Sequence, residues 1–383
     1  MVPRVCIVLA LFATLIRPPA LAEARFVAQT PAISATSALL MDARTGRVLY
    51  ALAPDIRRPP ASTTKMLTAL LVAEALSPDT LVPISRRAAV ERSGAAIGLE
   101  VGERWTAGEL MRAMLMHSAN DAAVALAEAV AGSVEEFAQR MNARAQALGA
   151  RNSNFVTPHG RHNPQHYSTA HDLALIGRES LRAPWIAKIA RSQTWKLHGK
   201  LYRGRRRTRL VINTNSLLWR YPGADGIKTG WILESGPCLV ASATRGGWQL
   251  IAVVLNTRTQ GQSFRDAAAL LDFGFGEFTR VRAASRGEVV GTISIPNARW
   301  PLVVAAAEDA MVVAPRNAAV SRSIQLTKSR APIARGEAVG ALVLASGGVE
   351  VGRVPVVAAE AIPSRWLLGR VWQWLRGLVN SGE

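Results

Sequence analysis

The stretch PPASTTKMLTALLVAEAL, residues 59–76, places a serine and a lysine three positions apart at the start of an apolar helical run. Residues three apart on a helix share a face, so Ser62 and Lys65 are expected to lie side by side. One interpretation is an ordinary helix start, with a capping serine and a solvated lysine. The other is a serine nucleophile beside an amine that serves as its base. Partners elsewhere in the chain decide between the two.

Two further short motifs occur in the order that the second interpretation requires. HSAN, residues 117–120, precedes an apolar helical run, and GIKTGW, residues 226–231, has the composition of a strand. Each motif is weak evidence alone, since SAN is also a common way to begin a helix. Together the three motifs favour one catalytic site built from Ser62, Lys65, Ser118, Asn120, Lys228, Thr229 and Gly230.

The chemistry of a serine nucleophile explains why these residue types are present. A base must remove the proton of Ser62, so Lys65 has to be neutral, and burial together with the nearby cation of Lys228 would lower its pKa. Unpaired N–H groups in the first helical turn favour negative charge that develops near Ser62. An oxyanion hole would combine the Ser62 N–H with an N–H from the KTGW strand.

The second and third motifs suit the handling of a substrate. Ser118 suits a proton shuttle to the leaving amine, and Asn120 suits a hydrogen bond to the substrate amide or to the base. Lys228 and Thr229 suit a substrate carboxylate, while Gly230 lets a ligand approach the backbone closely. The sequence therefore predicts a substrate that ends in a free carboxylate.

The N-terminus predicts export. Residues 1–22 combine a basic Arg4, a short apolar run and an Ala20-x-Ala22 cleavage site, which is typical of a signal peptide. The chain has 383 residues and a formal net charge of +19, which in a cytosolic protein would suggest nucleic acid as the partner. Export excludes nucleic acid and leaves anionic lipid, cell-wall polymer or an acidic substrate.

Composition divides the chain into two folded regions. Residues 35–56 have the pattern of a hairpin, residues 62–180 have mainly helical periodicity, and strand-like runs return after the helical block. From residue 279 onward, short β-branched runs alternate with Gly and Pro turns. We predict an α/β catalytic domain over residues 23–278, with an antiparallel sheet, flanking helices and a helical insert. A small all-β domain is predicted over residues 279–361.

The C-terminal segment, residues 363–380, has a separate pattern. Its sequence SRWLLGRVWQWLRGLVN places arginines and other polar residues on one side of a helical wheel and most Leu, Val and Trp residues on the other. Arginines without acidic neighbours, together with tryptophans beside the apolar face, favour an amphipathic helix on a membrane surface. A helix that docks on its own domain is the alternative.

The chain resembles low-molecular-mass penicillin-binding proteins, the serine-type D-alanyl-D-alanine carboxypeptidases that carry an added β-domain. The likeness includes MDARTGRVLY, RRPPASTTKMLTALL, MLMHSANDAAVALAE, FVTPHG, NTNSLL and GADGIKTGW, with the S-x-x-K, S-x-N and K-T-G set. It implies a penicillin-binding/serine β-lactamase-like fold, no cofactor, removal of the terminal D-alanine from peptidoglycan stem pentapeptides, and acylation by β-lactams. It also implies a location at the periplasmic face of the cytoplasmic membrane.

By motif position, the resemblance makes Ser62 the acyl-enzyme nucleophile, Lys65 the base, Ser118 and Asn120 the second motif, and Lys228 the carboxylate binder. Three positions near these motifs depart from the family pattern. Trp231 and Ile232 follow the KTG where other residues are common, and Thr157 replaces a more usual asparagine. The substrate preference beside the KTG strand is therefore open.

Four other functions would use some of the same sequence features. A class A β-lactamase needs a deacylating Glu, commonly in E-x-x-L-N, and no such segment occurs between Ser118 and Lys228. A D,D-endopeptidase shares the catalytic domain, although the β-domain favours a carboxypeptidase. A non-catalytic sensor would be acylated without turnover. A zinc enzyme is disfavoured, because the histidine cluster matches no common zinc-binding spacing and the chain has no H-E-x-x-H; the cluster comprises His159, His162, His166 and His171.

Overall fold

A computed structural model describes residues 30–200 and 206–364. The predicted signal peptide lies outside these ranges, as does nearly all of the predicted amphipathic segment. None of the helices within the described ranges has the length and hydropathy of a membrane span.

The helices concentrate between residues 61 and 190, as the periodicity predicts. A 3₁₀ turn at Ala61–Thr64 leads directly into the first of them. The α-helices are α1 Lys65–Ala75, α2 Arg86–Val90, α3 Ala107–Met116, α4 Asn120–Ala131, α5 Val134–Ala147, α6 Ala170–Arg182, α7 Pro184–Ala190, α8 Leu217–Arg220 and α9 Gln260–Glu277.

The strands lie on both sides of this helical block and dominate the C-terminal region. In the catalytic domain they are β1 Ser37–Asp42, β2 Val48–Leu52, β3 Leu81–Pro83, β4 Arg104–Thr106, β5 Thr194–Lys200, β6 Arg206–Ile212, β7 Ala224–Ile232, β8 Gly236–Arg245 and β9 Trp248–Leu255. Those that follow are β10 Phe278–Ala284, β11 Val289–Ile293, β12 Leu302–Ala306, β13 Ala310–Pro315, β14 Val320–Leu326, β15 Ala338–Ser346 and β16 Val349–Ala358.

The main sheet is antiparallel, with the strand order β2-β1-β9-β8-β7. The apolar runs of β8 and β9 are buried on both faces, which explains their continuous hydrophobicity. Gly246 and Gly247 join these two strands, with φ angles of 55° and 72°. A two-residue hairpin turn of this kind needs positive φ at both positions, which glycine adopts without strain. Strand β7, which carries KTGW, is left at the edge of the sheet.

Helices cover both faces of this sheet. On one face, α1 is buried over most of its length and packs among α3, α4 and α6 in the larger apolar core. On the other face, α9 closes a second apolar core against the sheet. The predicted fold class, an antiparallel sheet flanked by helices with a helical insert, is confirmed.

The C-terminal region is an all-β domain with its own core, as predicted. Its larger sheet has the order β11-β12-β16-β15-β14, while β10 pairs with β13. Arginines hold this domain to the catalytic one: Arg44 and Arg47 of the β1–β2 hairpin donate to the carbonyls of Met311 and Val313. The acceptors are backbone groups of β13, and the Val313 side chain of that strand also packs into the core between α9 and the main sheet.

Candidate active site

Ser62 lies in the 3₁₀ turn at the entrance to α1. Its neighbour Ala61 is fully buried and has a φ of 49°, in the left-handed region that residues other than glycine rarely adopt. Thr63 closes the turn, with Oγ1 donating to the Pro60 carbonyl at 2.6 Å. Backbone strain of this type persists only where the surrounding structure imposes it, and it often occurs at functional sites.

Lys65 is fully buried one turn further on. Its Nζ is 2.8 Å from Ser62 Oγ, 2.7 Å from Asn120 Oδ1 and 2.8 Å from the His159 carbonyl. Burial, followed by the charge of Lys228, lowers the pKa of Lys65 well below its ordinary value. Both causes disfavour the ammonium form, so the electrostatics favour a neutral amine.

A neutral amine also fits the three partners of Lys65 Nζ. Such an amine has two N–H donors and one lone pair. The Asn120 amide oxygen and the His159 carbonyl can only accept, so they take the two N–H groups. The lone pair then remains for the hydroxyl proton of Ser62. The hydrogen-bond pattern thereby directs the basic lone pair of Lys65 toward the nucleophile.

The second motif lies between α3 and α4. Ser118 has a φ of 65° and lines the cleft, and Asn120 is the first residue of α4. The Asn120 amide joins two parts of the site, because its oxygen accepts from Lys65 and its Nδ2 donates to the Ser93 carbonyl at 2.5 Å. The backbone N–H of Asn120 donates to the Ala95 carbonyl at 2.7 Å. One residue thus orients the base and holds a wall of the cleft.

The next residue, Asp121, is a buried carboxylate that extends this support. Its Oδ2 accepts from the backbone N–H groups of Ile97, Gly98 and Leu99 at 3.0, 2.8 and 3.0 Å. Residues 93–99 are thereby fixed against α4. Asp121 was not predicted as a site residue, and its visible signal in the sequence is an acidic residue in the first turn of α4.

The third motif occupies the edge strand β7. Lys228 is 1% exposed, its Nζ donates to the Thr229 carbonyl at 3.0 Å, and burial lowers its pKa to about 7. Thr229 Oγ1 is 2.6 Å from Thr214 Oγ1, and both threonines line the cleft. A Cβ at Gly230 would lie 3.1 Å from the Ser62 nitrogen, so glycine permits the close approach of β7 to the nucleophile. Thr214 was not predicted as a site residue.

The structure therefore brings all seven predicted residues into one region. Most of them line a cleft of about 370 Å³, which lies between a wall formed by residues 93–95 and strand β7. Lys65 and Lys228 are buried behind the surface of this cleft. Trp231, which departs from the family pattern, is 61% exposed at the rim.

Two histidines of the predicted cluster, His159 and His166, contribute hydrogen bonds around the site. His166 Nδ1 accepts from the Val156 N–H at 3.0 Å, and its Nε2 lies 2.9 Å from Thr64 Oγ1. Burial lowers the pKa of His166 to about 4 and that of His159 to about 2. Both rings are neutral. In the described ranges, no group of three or more His, Cys, Asp or Glu side chains could share a metal ion.

Comparison with known proteins places this site in a family. Residues 24–259 match the family model described as D-alanyl-D-alanine carboxypeptidase, and residues 278–364 match the one described as penicillin-binding protein 5, C-terminal domain. The chain is 33% identical to the D-alanyl-D-alanine carboxypeptidase DacF of Bacillus subtilis over 336 residues, which cover 85% of each protein. It is 30% identical to DacC of Escherichia coli over 385 residues, with 95% of this chain and 93% of DacC covered.

A solved structure agrees. The crystal structure of penicillin-binding protein 5 from Haemophilus influenzae superposes with a TM-score of 0.77 at 30% identity, covering 88% of this chain and 99% of that one. The matches span both the catalytic and the all-β domains. The chain therefore belongs to the serine-type D-alanyl-D-alanine carboxypeptidase family of penicillin-binding proteins.

Proposed function

We propose that this enzyme removes the terminal D-alanine from peptidoglycan stem pentapeptides through an acyl-enzyme on Ser62. One observation carries the proposal: a fully buried Lys65 with its Nζ 2.8 Å from Ser62 Oγ and its other two contacts on carbonyl oxygens. That arrangement is the one a general base needs before it can activate a serine. The family relationship supplies the substrate class.

In the acylation step, Lys65 takes the Ser62 proton while Oγ attacks the carbonyl of the D-Ala-D-Ala bond. The C–N bond then breaks, and the proton passes from Lys65 to the departing D-alanine amine, with Ser118 as the shuttle. Water, deprotonated by Lys65, hydrolyses the resulting ester and restores Ser62. The N–H of Ser62 and an N–H of the adjacent β7 would stabilise the oxyanion in both steps.

The carboxylate of the leaving D-alanine is assigned to the β7 side of the cleft. Thr229 and Thr214 supply hydroxyl groups there, and the cation of Lys228 lies directly behind them. Because Lys228 is buried and does not line the cleft, it acts through its positive potential and not as a direct ligand. A peptide with a C-terminal amide would lose this interaction and should be cleaved much more slowly.

The function is tested by mass spectrometry and by peptide hydrolysis on the same preparation. We expect a penicillin to form a covalent adduct on the tryptic peptide that contains Ser62, and D-alanine to be released from a stem pentapeptide. Acylation without any D-alanine release would instead identify a non-catalytic sensor. Faster cleavage of cross-linked dimers than of pentapeptides would identify an endopeptidase.

Residues 363–380 are proposed to anchor the enzyme on a membrane surface. We expect the mature chain to sediment with anionic liposomes, and a chain truncated after Ser364 to stay in solution with full peptidase activity. The apolar face supplies much of the affinity and is not screened by salt, so salt alone should release the protein poorly. Liposomes of neutral lipid are the control, since each arginine adds about 1 kcal/mol only on an anionic surface. A full chain that stays in the supernatant at low salt would contradict the anchor.

A further inference from the structure

The cleft has an unusual charge distribution. Its lining consists of small, hydroxyl, amide, apolar and aromatic side chains, apart from His159 and Arg161. His159 is neutral, because burial lowers its pKa to about 2. Among the described residues that line the cleft, Arg161 is therefore the one whose side chain is charged at neutral pH. The mechanism proposed above does not use it.

The backbone of Arg161 is fixed relative to the nucleophile. Its N–H donates to His159 Nδ1 at 3.2 Å. The preceding Gly160 has a φ of 82°, and a Cβ there would lie 1.8 Å from the Ala61 carbonyl oxygen. Only glycine permits that approach, so the turn before Arg161 packs directly against the turn that carries Ser62.

The guanidinium of Arg161, in contrast, is available to a ligand. Its side chain is 55% exposed, and Glu91 is at the outer limit of an ion pair, with Oε1 4.0 Å from Nη1. Glu91 also lies 3.7 Å from His159 Nε2. The Glu91 side chain is 18% exposed, but at that distance from a half-exposed guanidinium the pair contributes little to stability. The positive charge therefore remains largely free to attract an anion in the cleft.

Arg161 and the KTG strand approach different parts of the nucleophile turn. Gly160 faces the carbonyl of Ala61, whereas Gly230 faces the Ala61 side chain and the Ser62 nitrogen. If the terminal carboxylate of the substrate is held beside Thr229, the acyl-donor part of the peptide lies on the side of the cleft that includes Arg161.

We infer that Arg161 is a specificity-determining residue that selects acyl donors with a side-chain carboxylate on the residue preceding D-Ala-D-Ala. This inference rests on the proposed function. Arginine suits the task because its planar guanidinium binds a carboxylate through two parallel hydrogen bonds. The substrate class is thus a peptide with two carboxylates, one at its C-terminus and one on the acyl-donor side.

The test uses the mature enzyme and pairs of peptides of the form acetyl-X-D-Ala-D-Ala. X is glutamic acid or 2-aminoadipic acid, each compared with its side-chain amide, so that two side-chain lengths are sampled. We expect the wild type to prefer a carboxylate peptide by about tenfold in kcat/KM, as a charge-assisted hydrogen bond typically contributes. Arg161→Gln should remove the preference while cleaving the amide peptides as the wild type does, and Arg161→Lys should keep part of it.

Arg182→Gln is the matched control, because Arg182 is 56% exposed, pairs with Glu179 and does not line the cleft. It should keep the wild-type preference. A wild type that cleaves acid and amide peptides equally at both lengths would overturn the inference, as would an Arg161→Gln enzyme that still prefers the acid. Cleavage of none of the peptides would instead refute the proposed function, and the inference with it.

Discussion

The Ser62→Ala enzyme should release D-alanine at least about 10⁴ times more slowly than the wild type, since loss of a catalytic nucleophile typically costs that much. Alanine removes the only atom that can form the ester, while the buried Lys65 and the cleft walls keep their places. The same variant should form no penicillin adduct. Stopped-time assays of D-alanine release and intact-mass spectrometry measure the two effects.

Ser77→Ala is a suitable control for this experiment. Ser77 follows the same helix, and its hydroxyl contacts only the exposed Thr80 hydroxyl at 3.0 Å among the hydrogen bonds of the described residues. That variant should react with penicillin at the wild-type rate. An adduct on the Ser62→Ala protein would show that another residue is the nucleophile.

Replacing Lys65 should lower D-alanine release by about 10³-fold, within the range expected for loss of a general base. Lys65→Met fills the same buried space without a base. Lys65→Arg is the more informative variant, because a guanidinium does not lose its proton in a protein. Both variants should be similarly inactive. Lys188→Met, on the exposed side of α7, serves as the control. High activity in the Lys65→Arg enzyme would contradict the role as base.

The pH dependence of kcat/KM should also report on the roles of Lys65 and Lys228. Lys65 acts as a base only when neutral, so kcat/KM should rise with pH through its lowered pKa. Lys228 attracts a carboxylate only when protonated, and its pKa in the free site is about 7. For peptide acids, kcat/KM should therefore fall again on the alkaline side, and that fall should be weaker for peptide C-terminal amides. The two lysines interact, so the measured values belong to the pair.

The local parts of this molecule were the most predictable from sequence. Periodicity and turn residues predict the helical block, the hairpin at residues 35–56 and the series of short strands after residue 279. The pairing order β11-β12-β16-β15-β14 does not. That order depends on contacts between strands distant in the chain, whose alternation patterns are nearly interchangeable.

The same distinction applies within the site. The residues that carry the chemistry could be identified from short sequence motifs, because each motif is local. Thr214 and Asp121 did not, because their roles depend on partners across the fold: Thr214 meets Thr229, and Asp121 meets the backbone of residues 97–99. A threonine after a strand and an aspartate in a first helical turn are ordinary features, so composition alone could not single them out.

The adjacent residues Asn120 and Asp121 connect Lys65 to the cleft wall formed by residues 93–99. This connection affects the conformational entropy of that wall. The segment 93–99 loses its backbone freedom when the protein folds, because both side chains and the Asn120 N–H hold it before any ligand arrives. Ordering a loop at the moment of binding would weaken affinity. Here a substrate or inhibitor meets a wall that is already ordered, and any widening of the cleft would also pull on the amide that orients Lys65. We therefore expect ligands to be discriminated by how well they fit a cleft wall that is already formed.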